Sequence, residues 1–386
     1  MKKNSKRKIL VITGTRAEYG LLKSTIDEIS ASKVLALCLA VTGMHCLNKY
    51  GHTVDEIKKD GVPIDHLVPI SEQDDMLGAL AKEINGIKNI CLKEKPAAIL
   101  ILGDRDEPFA AAIVGGHLKI PVLHIHGGDV SGYSVDEYIR HAITKFSHLH
   151  FTASQKSYER VIKLGEEKWR VFKTGAPGLD ALREEKYLSK KLLAAQFKLD
   201  LDKKWIIVLQ HPTPMDKVYA KEQITPVLKV LTKILAEKIV IYPNSDTGSD
   251  IFVNEIKKYD KNKTFHIYKN FNRRAYLSLL KNGDALVGNS SSGIIEAGFF
   301  HLPAVNIGNR QLGRECGRNV IHVGYDKTQI ETAIKAALSA GFKRRCQNLA
   351  NPYGAGRAGE KIVKIIERNI NKPELFYKKF TYGPKI

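Results

Sequence analysis

Ala97-Ala-Ile-Leu-Ile-Leu-Gly-Asp-Arg-Asp-Glu-Pro108 is a six-residue apolar run, a glycine, a knot of charges and a proline. An apolar run this short, closed by a turn and followed by an amphipathic stretch, reads as a buried strand that feeds a helix. The same unit recurs along the whole chain. In the first half the runs are residues 8–13, 34–41, 97–102, 121–125, 149–152 and 170–174. In the second half they are 205–210, 238–242, 264–268, 285–288, 304–307 and 320–323. About six strands per half, separated by helical segments, predict parallel sheets covered on both faces. The expected fold class is therefore α/β, with two Rossmann-like, doubly wound domains.

The break between them is expected at Gly175-Ala-Pro-Gly178, a Gly/Pro punctuation between two strand–helix series. This makes 1–175 the first domain and 176–365 the second. A helix is expected over residues 359–370, and the end of the chain, 366–386, is expected to cross back onto the first domain. In doubly wound sheets ligands bind beyond the carboxyl ends of the strands, so the informative residues should follow strands.

Composition narrows the class. The 386 residues suffice for two domains with cores of their own. No apolar run approaches the ~20 residues of a membrane span. The basic start Met1-Lys-Lys-Asn-Ser-Lys-Arg-Lys8 precedes an apolar run, Ile9 to Ile12, too short for a signal-peptide core. A cytoplasmic protein without a membrane partner is expected. The five cysteines contain no C-x-x-C pair, which argues against a disulfide framework or a structural zinc site. The net charge of +20 is spread along the chain. It reads as a lysine-rich solvated surface or as steering for an anionic substrate. No nucleic-acid recognition module accompanies it, so no nucleic-acid partner is expected.

Each half then shows a distinct chemistry at its strand ends. After the first run comes Thr13-Gly-Thr-Arg-Ala-Glu-Tyr-Gly20. It lacks the G-x-G-x-x-G spacing of a dinucleotide site, but Arg16 stands where it can fork onto a phosphate or simply start a helix. After the third run, Asp104 and Arg105 precede Asp106-Glu-Pro108. Asp104 or Asp106 as an N-cap would explain part of this crowding. After the fourth run comes His124-Ile-His-Gly-Gly-Asp129, then Val135-Asp-Glu-Tyr-Ile-Arg-His141. Strand alternation would put His124 and His126 on one face. H-x-H followed by Asp occurs in metal sites, but no third ligand group has matching spacing, and no metal is assigned. His124 reads as a packing histidine. Asp129, Asp136 and Glu137 are acid–base candidates, although Asp136 also suits an N-cap.

In the second half, Pro212 biases His211 to extended geometry and so directs its imidazole. Tyr242-Pro-Asn-Ser-Asp246 supplies polar groups at the equivalent strand end. Gly288-Asn-Ser-Ser-Ser-Gly-Ile-Ile-Glu-Ala-Gly298 reads as a small-residue loop opening a helix, where unpaired N–H groups and the helix dipole favour an anion. Glu296 lies on that helix, placed for a ribose. Gly308-Asn-Arg-Gln-Leu-Gly-Arg314 brings Arg310 to a further strand end.

These stretches, in this order, resemble the hydrolysing UDP-N-acetylglucosamine 2-epimerases of sialic-acid biosynthesis. The likeness rests on Thr15-Arg-Ala-Glu-Tyr19, Gly103-Asp-Arg105, His124-Ile-His-Gly-Gly-Asp129 and the segment from Asp136 to Lys145. Gln210-His-Pro212, Tyr242-Pro-Asn244, Gly288-Asn-Ser-Ser291 and Asn309-Arg-Gln-Leu-Gly-Arg314 extend it over nearly the whole chain. The resemblance implies a GT-B-like fold with two domains facing a cleft, and no metal or redox cofactor. It implies conversion of UDP-GlcNAc and water to N-acetylmannosamine and UDP, through 2-acetamidoglucal, for sialic-acid-type sugars. Asp104 and Asp136 match the family's catalytic carboxylates, and His211 matches a histidine near the leaving group. Arg16, Arg105, Asn244, Phe271, Ser290, Ser291, Glu296 and Arg310 match nucleotide-binding positions. Many relatives carry a catalytic glutamate where this chain has His126, so either His126 or Asp129 takes that part. A homodimer or homotetramer is expected.

The sequence leaves alternatives open. One is the same reaction on a UDP-2,4-diacetamido sugar or on GDP-GlcNAc, as in legionaminic-acid synthesis. Another is a non-hydrolysing 2-epimerase, against which His-Ile-His-Gly-Gly and His-Pro both speak. A GT-B glycosyltransferase and a non-catalytic nucleotide-sugar sensor are the other classes.

Overall fold

The computed structural model describes residues 6–130, 135–213, 218–244, 247–379 and 381. The expectations for the first five residues, for Ser245 and Asp246 and for residues 382–386 lie outside the described residues. The chain divides into two compact units, Met1–Arg183 with Tyr353–Ile386, and Glu184–Pro352.

The first unit carries β1 (Arg7–Thr13), β2 (Leu35–Val41), β3 (His66–Leu67), β4 (Ala98–Leu102), β5 (Val122–Ile125), β6 (Leu149–Thr152) and β7 (Val171–Lys173). They form one sheet in the order β3-β2-β1-β4-β5-β6-β7, with every pair parallel. The second unit carries β8 (Trp205–Leu209), β9 (Glu237–Ile241), β10 (Phe265–Tyr268), β11 (Ala285–Gly288), β12 (Ala304–Ile307) and β13 (Val320–Val323). Their order is β10-β9-β8-β11-β12-β13, again parallel throughout. Both orders reverse direction beside the first strand, as in doubly wound folds.

All twelve apolar runs are strands. The thirteenth, β3, has two residues and pairs only with Ala40 and Val41 at the sheet edge. A strand that short carries no period, so its pairing alone defines it.

The strands of the first sheet are apolar on both faces. Ile9, Val11, Leu39, Leu100, Leu123 and Ile125 pack one way, against the helices Arg16–Ala31 and Ala358–Asn369. Leu10, Ile12, Ala40, Ile99, Ile101 and Val122 pack the other way, against Met76–Glu94 and Asp106–Leu118. Each fully buried aliphatic side chain contributes about 1.5–3 kcal/mol. No described helix is long and apolar enough to cross a membrane.

The end of the chain joins the first unit through an unusual cap. The helix Ala358–Asn369 has no side-chain cap from its own N-cap residue, Arg357. Its leading N–H groups need acceptors, as every helix start does. The Asp180 carboxylate accepts from the N–H groups of Arg357, Ala358 and Gly359 at 2.7, 2.8 and 2.7 Å, and from Ser24 Oγ at 3.0 Å. One side chain thus ties two distant segments. Asp180→Ala is expected to cost about 2 kcal/mol. Urea unfolding checks this, and hydrogen exchange should show the loss concentrated in residues 358–369.

Candidate active site

In the first unit three turns follow β1, β4 and β5. The turn after β4 holds Gly103, at φ +84, then Asp104 and Arg105. The next helix, Asp106–Leu118, takes Arg105 as N-cap, with no side-chain cap bond. The capping expectation for Asp104 and Asp106 is therefore corrected. Asp106 is the helix's first residue, and Asp104 is bound elsewhere: it pairs with the Arg140 guanidinium.

Arg140 belongs to the helix Val135–Phe146 and is 2% exposed. Its Nη1 reaches Glu137 on its own helix and donates to the Asp129 carbonyl at 2.7 Å. A buried guanidinium must be fully paired to be tolerated, so Arg140 fixes Asp104, Glu137 and the end of the β5 turn together. Asp136 is the helix's second residue and is not its cap.

After β5 the chain does not continue the strand's alternation. The strand ends at Ile125, and His126 adopts a left-handed backbone at φ +68. His124 and His126 therefore do not share one face as expected. His124 is fully buried, its Nε2–H donates to the Gly103 carbonyl at 2.7 Å, and burial pushes its pKa down to about 3. It packs, as expected, and it also fixes the carbonyl next to Asp104.

His126 turns the other way and places Nδ1 2.7 Å from Asp129 Oδ2. Asp129 Oδ1 accepts from Ser157 Oγ at 2.6 Å. The turn needs Gly128, at φ +77, because a Cβ there would lie 2.3 Å from the Ser157 carbonyl. His126 and Asp129, alternatives in sequence, form one hydrogen-bonded pair. With Nδ1 directed at the carboxylate, Nε2 is the nitrogen left for other work. It is buried and has no partner among the described residues.

Arg16 begins its helix with its side chain 71% exposed and pairs with Glu56 at 2.8 Å. Arg105 Nε pairs with Glu107 at 3.2 Å. Beneath these turns lie buried carboxyls. Glu18 accepts from the Gly14 N–H at 2.8 Å and Glu83 from Thr42 Oγ1 at 3.1 Å. Burial, with the charge of nearby Glu107, pushes both up to about 8.

The second unit is built from backbone and amides. Gly288, at φ +145, has no room for a side chain, since a Cβ would lie 2.0 Å from the Leu209 carbonyl. Strand ends β8 and β11 therefore meet closely. Asn289 clamps the pair: its Oδ1 accepts from the His211 N–H at 2.7 Å and its Nδ2 donates to the His211 carbonyl at 2.8 Å. The Asn244 N–H donates to His211 Nδ1 at 3.0 Å. Nδ1 is thus an acceptor, which places the ring hydrogen on Nε2.

The loop after β11 opens a helix that carries Glu296, as expected, but the helix is short. Ser291–Gly293 is one 3₁₀ turn, and Glu296–Phe299 is a four-residue helix. So few aligned peptides supply little dipole, and an anion here would rest on individual N–H groups and hydroxyls. Ser290 Oγ accepts from the Ser292 N–H at 3.3 Å, and Tyr276 donates to Ser292 Oγ at 2.7 Å. The Ser290 and Ser291 N–H groups take no part in these bonds. Glu296 is half-buried, and desolvation of its carboxyl raises its pKa. Phe271 joins an aromatic group with Phe197 and Tyr268, at ring distances of 5.1 and 4.6 Å. Arg310 follows Gly308, the left-handed residue closing β12.

Among the described residues the one group spaced for a metal is Cys38, His66 and Glu94, outside these turns. Lys8 already holds Glu94 at 2.7 Å.

Both units thus present polar groups at strand carboxyl ends, acid–base groups in one and donors in the other. A sequence profile of the UDP-N-acetylglucosamine 2-epimerase family matches residues 27–367. The chain belongs to this family. It is 38% identical over 365 residues to the hydrolyzing UDP-N,N'-diacetylbacillosamine 2-epimerase of Legionella pneumophila, covering 94% of this chain and 96% of that protein. It is 33% identical over 383 residues to the hydrolyzing GDP/UDP-N,N'-diacetylbacillosamine 2-epimerase of Campylobacter jejuni, covering 97% and 99%. Its fold is similar to that of UDP-GlcNAc 2-epimerase from Neisseria meningitidis bound to UDP-GlcNAc. There the TM-score is 0.75 at 20% identity, over 94% of this chain and 100% of that one. The fold is accordingly GT-B-like, with two Rossmann-like domains, and the family is one of enzymes.

Arg140 and Ser157 were not among the residues singled out. The sequence signal for Arg140 is an arginine on the apolar face of a helix, beside Ile139 and Ile143, following an acid-rich turn.

The buried groups of the first unit set a pH dependence. Unfolded glutamates lose their protons near 4.5, whereas folded Glu18 and Glu83 keep theirs to about 8. Stability from them falls as pH rises through that window. His45, His124 and His148, pushed by burial from 6.5 to about 4, 3 and 4, refuse a proton that the unfolded chain accepts. Stability falls as pH drops below 6.5. The urea midpoint should peak near about pH 6.5 and decline toward pH 8, and Glu18→Gln should flatten the alkaline decline. A midpoint flat between those values contradicts the assignment.

Proposed function

We propose that the protein is a hydrolysing 2-epimerase that converts a UDP-2-acetamido sugar and water to the free C2-inverted sugar and UDP. The observation that carries the reading is the Arg140 cluster, which sets Asp104 beside the His126–Asp129 pair. The C2 proton of such a sugar is not alpha to a carbonyl, so a full carbanion there is too costly. The C1–O bond to UDP must be largely broken as the proton leaves, and the departing diphosphate must be stabilised. In this reading the Ser290 and Ser291 N–H groups, Arg310 and the His211 Nε2–H supply that stabilisation.

The steps balance without other reactants. Ion-paired Asp104 carries the negative charge a base needs and takes the C2 proton while the C1–O bond breaks, giving the 2-acetamidoglucal and UDP. Water then adds its oxygen to C1 and gives up one proton, and a proton reaches C2 from the opposite side. His126 is suited to that delivery, because Asp129 holds Nδ1 and leaves Nε2 for the substrate. The water's proton restores the donor, and Asp104 returns the abstracted proton to solvent. Asp136 is assigned to the same acid–base set, and Glu296 to the nucleotide.

The favoured sugar is a 2,4-diacetamido-2,4,6-trideoxy hexose, supported by the two hydrolysing relatives. UDP-GlcNAc, with N-acetylmannosamine as product, is the second reading, supported by the family's name. Incubation with UDP-N,N'-diacetylbacillosamine, UDP-GlcNAc and their GDP counterparts tests both. Free sugar and UDP should appear, with the highest kcat/KM for the diacetamido substrate, and Asp104→Asn should lower kcat about 10²–10⁴-fold. A product still attached to UDP would indicate a non-hydrolysing enzyme, and turnover only with an added acceptor would indicate a glycosyltransferase. Either outcome overturns the proposal.

A further inference from the structure

The last described residues of the first unit return to the carboxyl end of the helix Val135–Phe146, which carries Asp136 and Arg140. Lys378 Nζ donates to the carbonyls of Thr144, Lys145 and Ser147 at 3.0, 2.7 and 2.8 Å. It also pairs with Glu166 at 2.7 Å, where its side chain is 9% exposed and that of Glu166 is fully buried. The final carbonyls of a helix lack intrahelical partners and carry partial negative charge, so an ammonium there satisfies both needs.

The segment that delivers this lysine is itself tied down on both sides. Arg170, fully buried, donates to the carbonyls of Glu374, Leu375 and Tyr377 at 2.8, 3.1 and 2.9 Å. Past Lys378, the N–H groups of Lys379 and Thr381 donate to Glu167 Oε2 at 3.2 Å and the Gly165 carbonyl at 2.8 Å. One turn back along the helix, Thr144 Oγ1 donates to the Arg140 carbonyl at 3.0 Å. The helix is therefore pinned at its carboxyl end by Lys378 and engaged toward its other end by the Arg140 cluster.

We propose that Lys378 is a positioning residue for the Asp104–Arg140–Asp129 cluster, holding the Val135–Phe146 helix in place from its carboxyl end. The inference rests on the function proposed for that cluster. No contact with substrate is involved. The effect passes through a helix whose backbone transmits a shift at one end to the other.

Lys378→Ala in the full chain tests it by two readouts, with Lys378→Met as the volume-keeping alternative if the alanine variant does not fold. Without substrate, hydrogen exchange should speed up across residues 135–146 while β1 and β4 keep their protection. With the UDP-sugar that the wild type turns over, kcat should fall on the order of 10- to 100-fold, since small misplacements of catalytic groups cost that much. KM should stay within about twofold, because the nucleotide contacts are untouched. Added ethylammonium should restore part of the kcat of Lys378→Ala, whereas tetramethylammonium, which has no N–H donor, should not. A folded variant with wild-type kcat overturns the proposal. So does a loss that no amine relieves and that accompanies faster exchange throughout the unit. If the wild type turns over no nucleotide sugar, the function fails separately, and the exchange of residues 135–146 alone decides this inference.

Discussion

The buried guanidinium of Arg140 is the contact on which the first unit's chemistry depends. It joins groups from three places: Asp104 after β4, the Asp129 carbonyl after β5, and Glu137 on its own helix. Burial gives this contact its leverage. A charge 2% exposed cannot rely on water, so the turns that satisfy it must close around it. Asp129 is then held twice, by its carbonyl through Arg140 and by its carboxylate through Ser157 and His126. The imidazole follows from that, because its ring plane and its remaining nitrogen are set by the Asp129 contact.

The second unit reaches comparable order with little charge. Gly288 lets two strand ends meet, and Asn289 bonds both sides of the His211 backbone. Amide and carbonyl groups in fixed positions suit a diphosphate, which needs several donors and gains little from one strong partner. A buried ion pair in one unit and backbone-directed donors in the other fit the two demands of the proposed reaction, proton transfer at carbon and departure of an anion.

The architecture was readable because parallel strands buried on both faces are continuous apolar runs. Every run of four or more residues became a strand, and only the two-residue β3 was hidden. The candidate residues were readable as positions after strands, but their partners were less so. His126 was expected to share a face with His124, which presumes that the strand continues. The left-handed backbone at His126 ends it, and no local signal separates a histidine in that conformation from one in a strand. Asp104 passed for a possible cap because capping is a local relation, whereas its actual partner lies 36 residues along the chain. The same separation hid Arg140, whose importance comes from what folding brings to it. The triple serine read as a loop opening a helix, and its length was not legible: Ile294 and Ile295 intervene before a single turn at Glu296.

The central claim is that these groups move a proton at C2 and do not merely cleave the sugar from its nucleotide. The most direct test is the proton NMR spectrum of the sugar released in D2O. The account predicts one deuterium at C2 in every product molecule, in the inverted configuration, and none at the other carbons. Release of a sugar that keeps its C2 proton would contradict it.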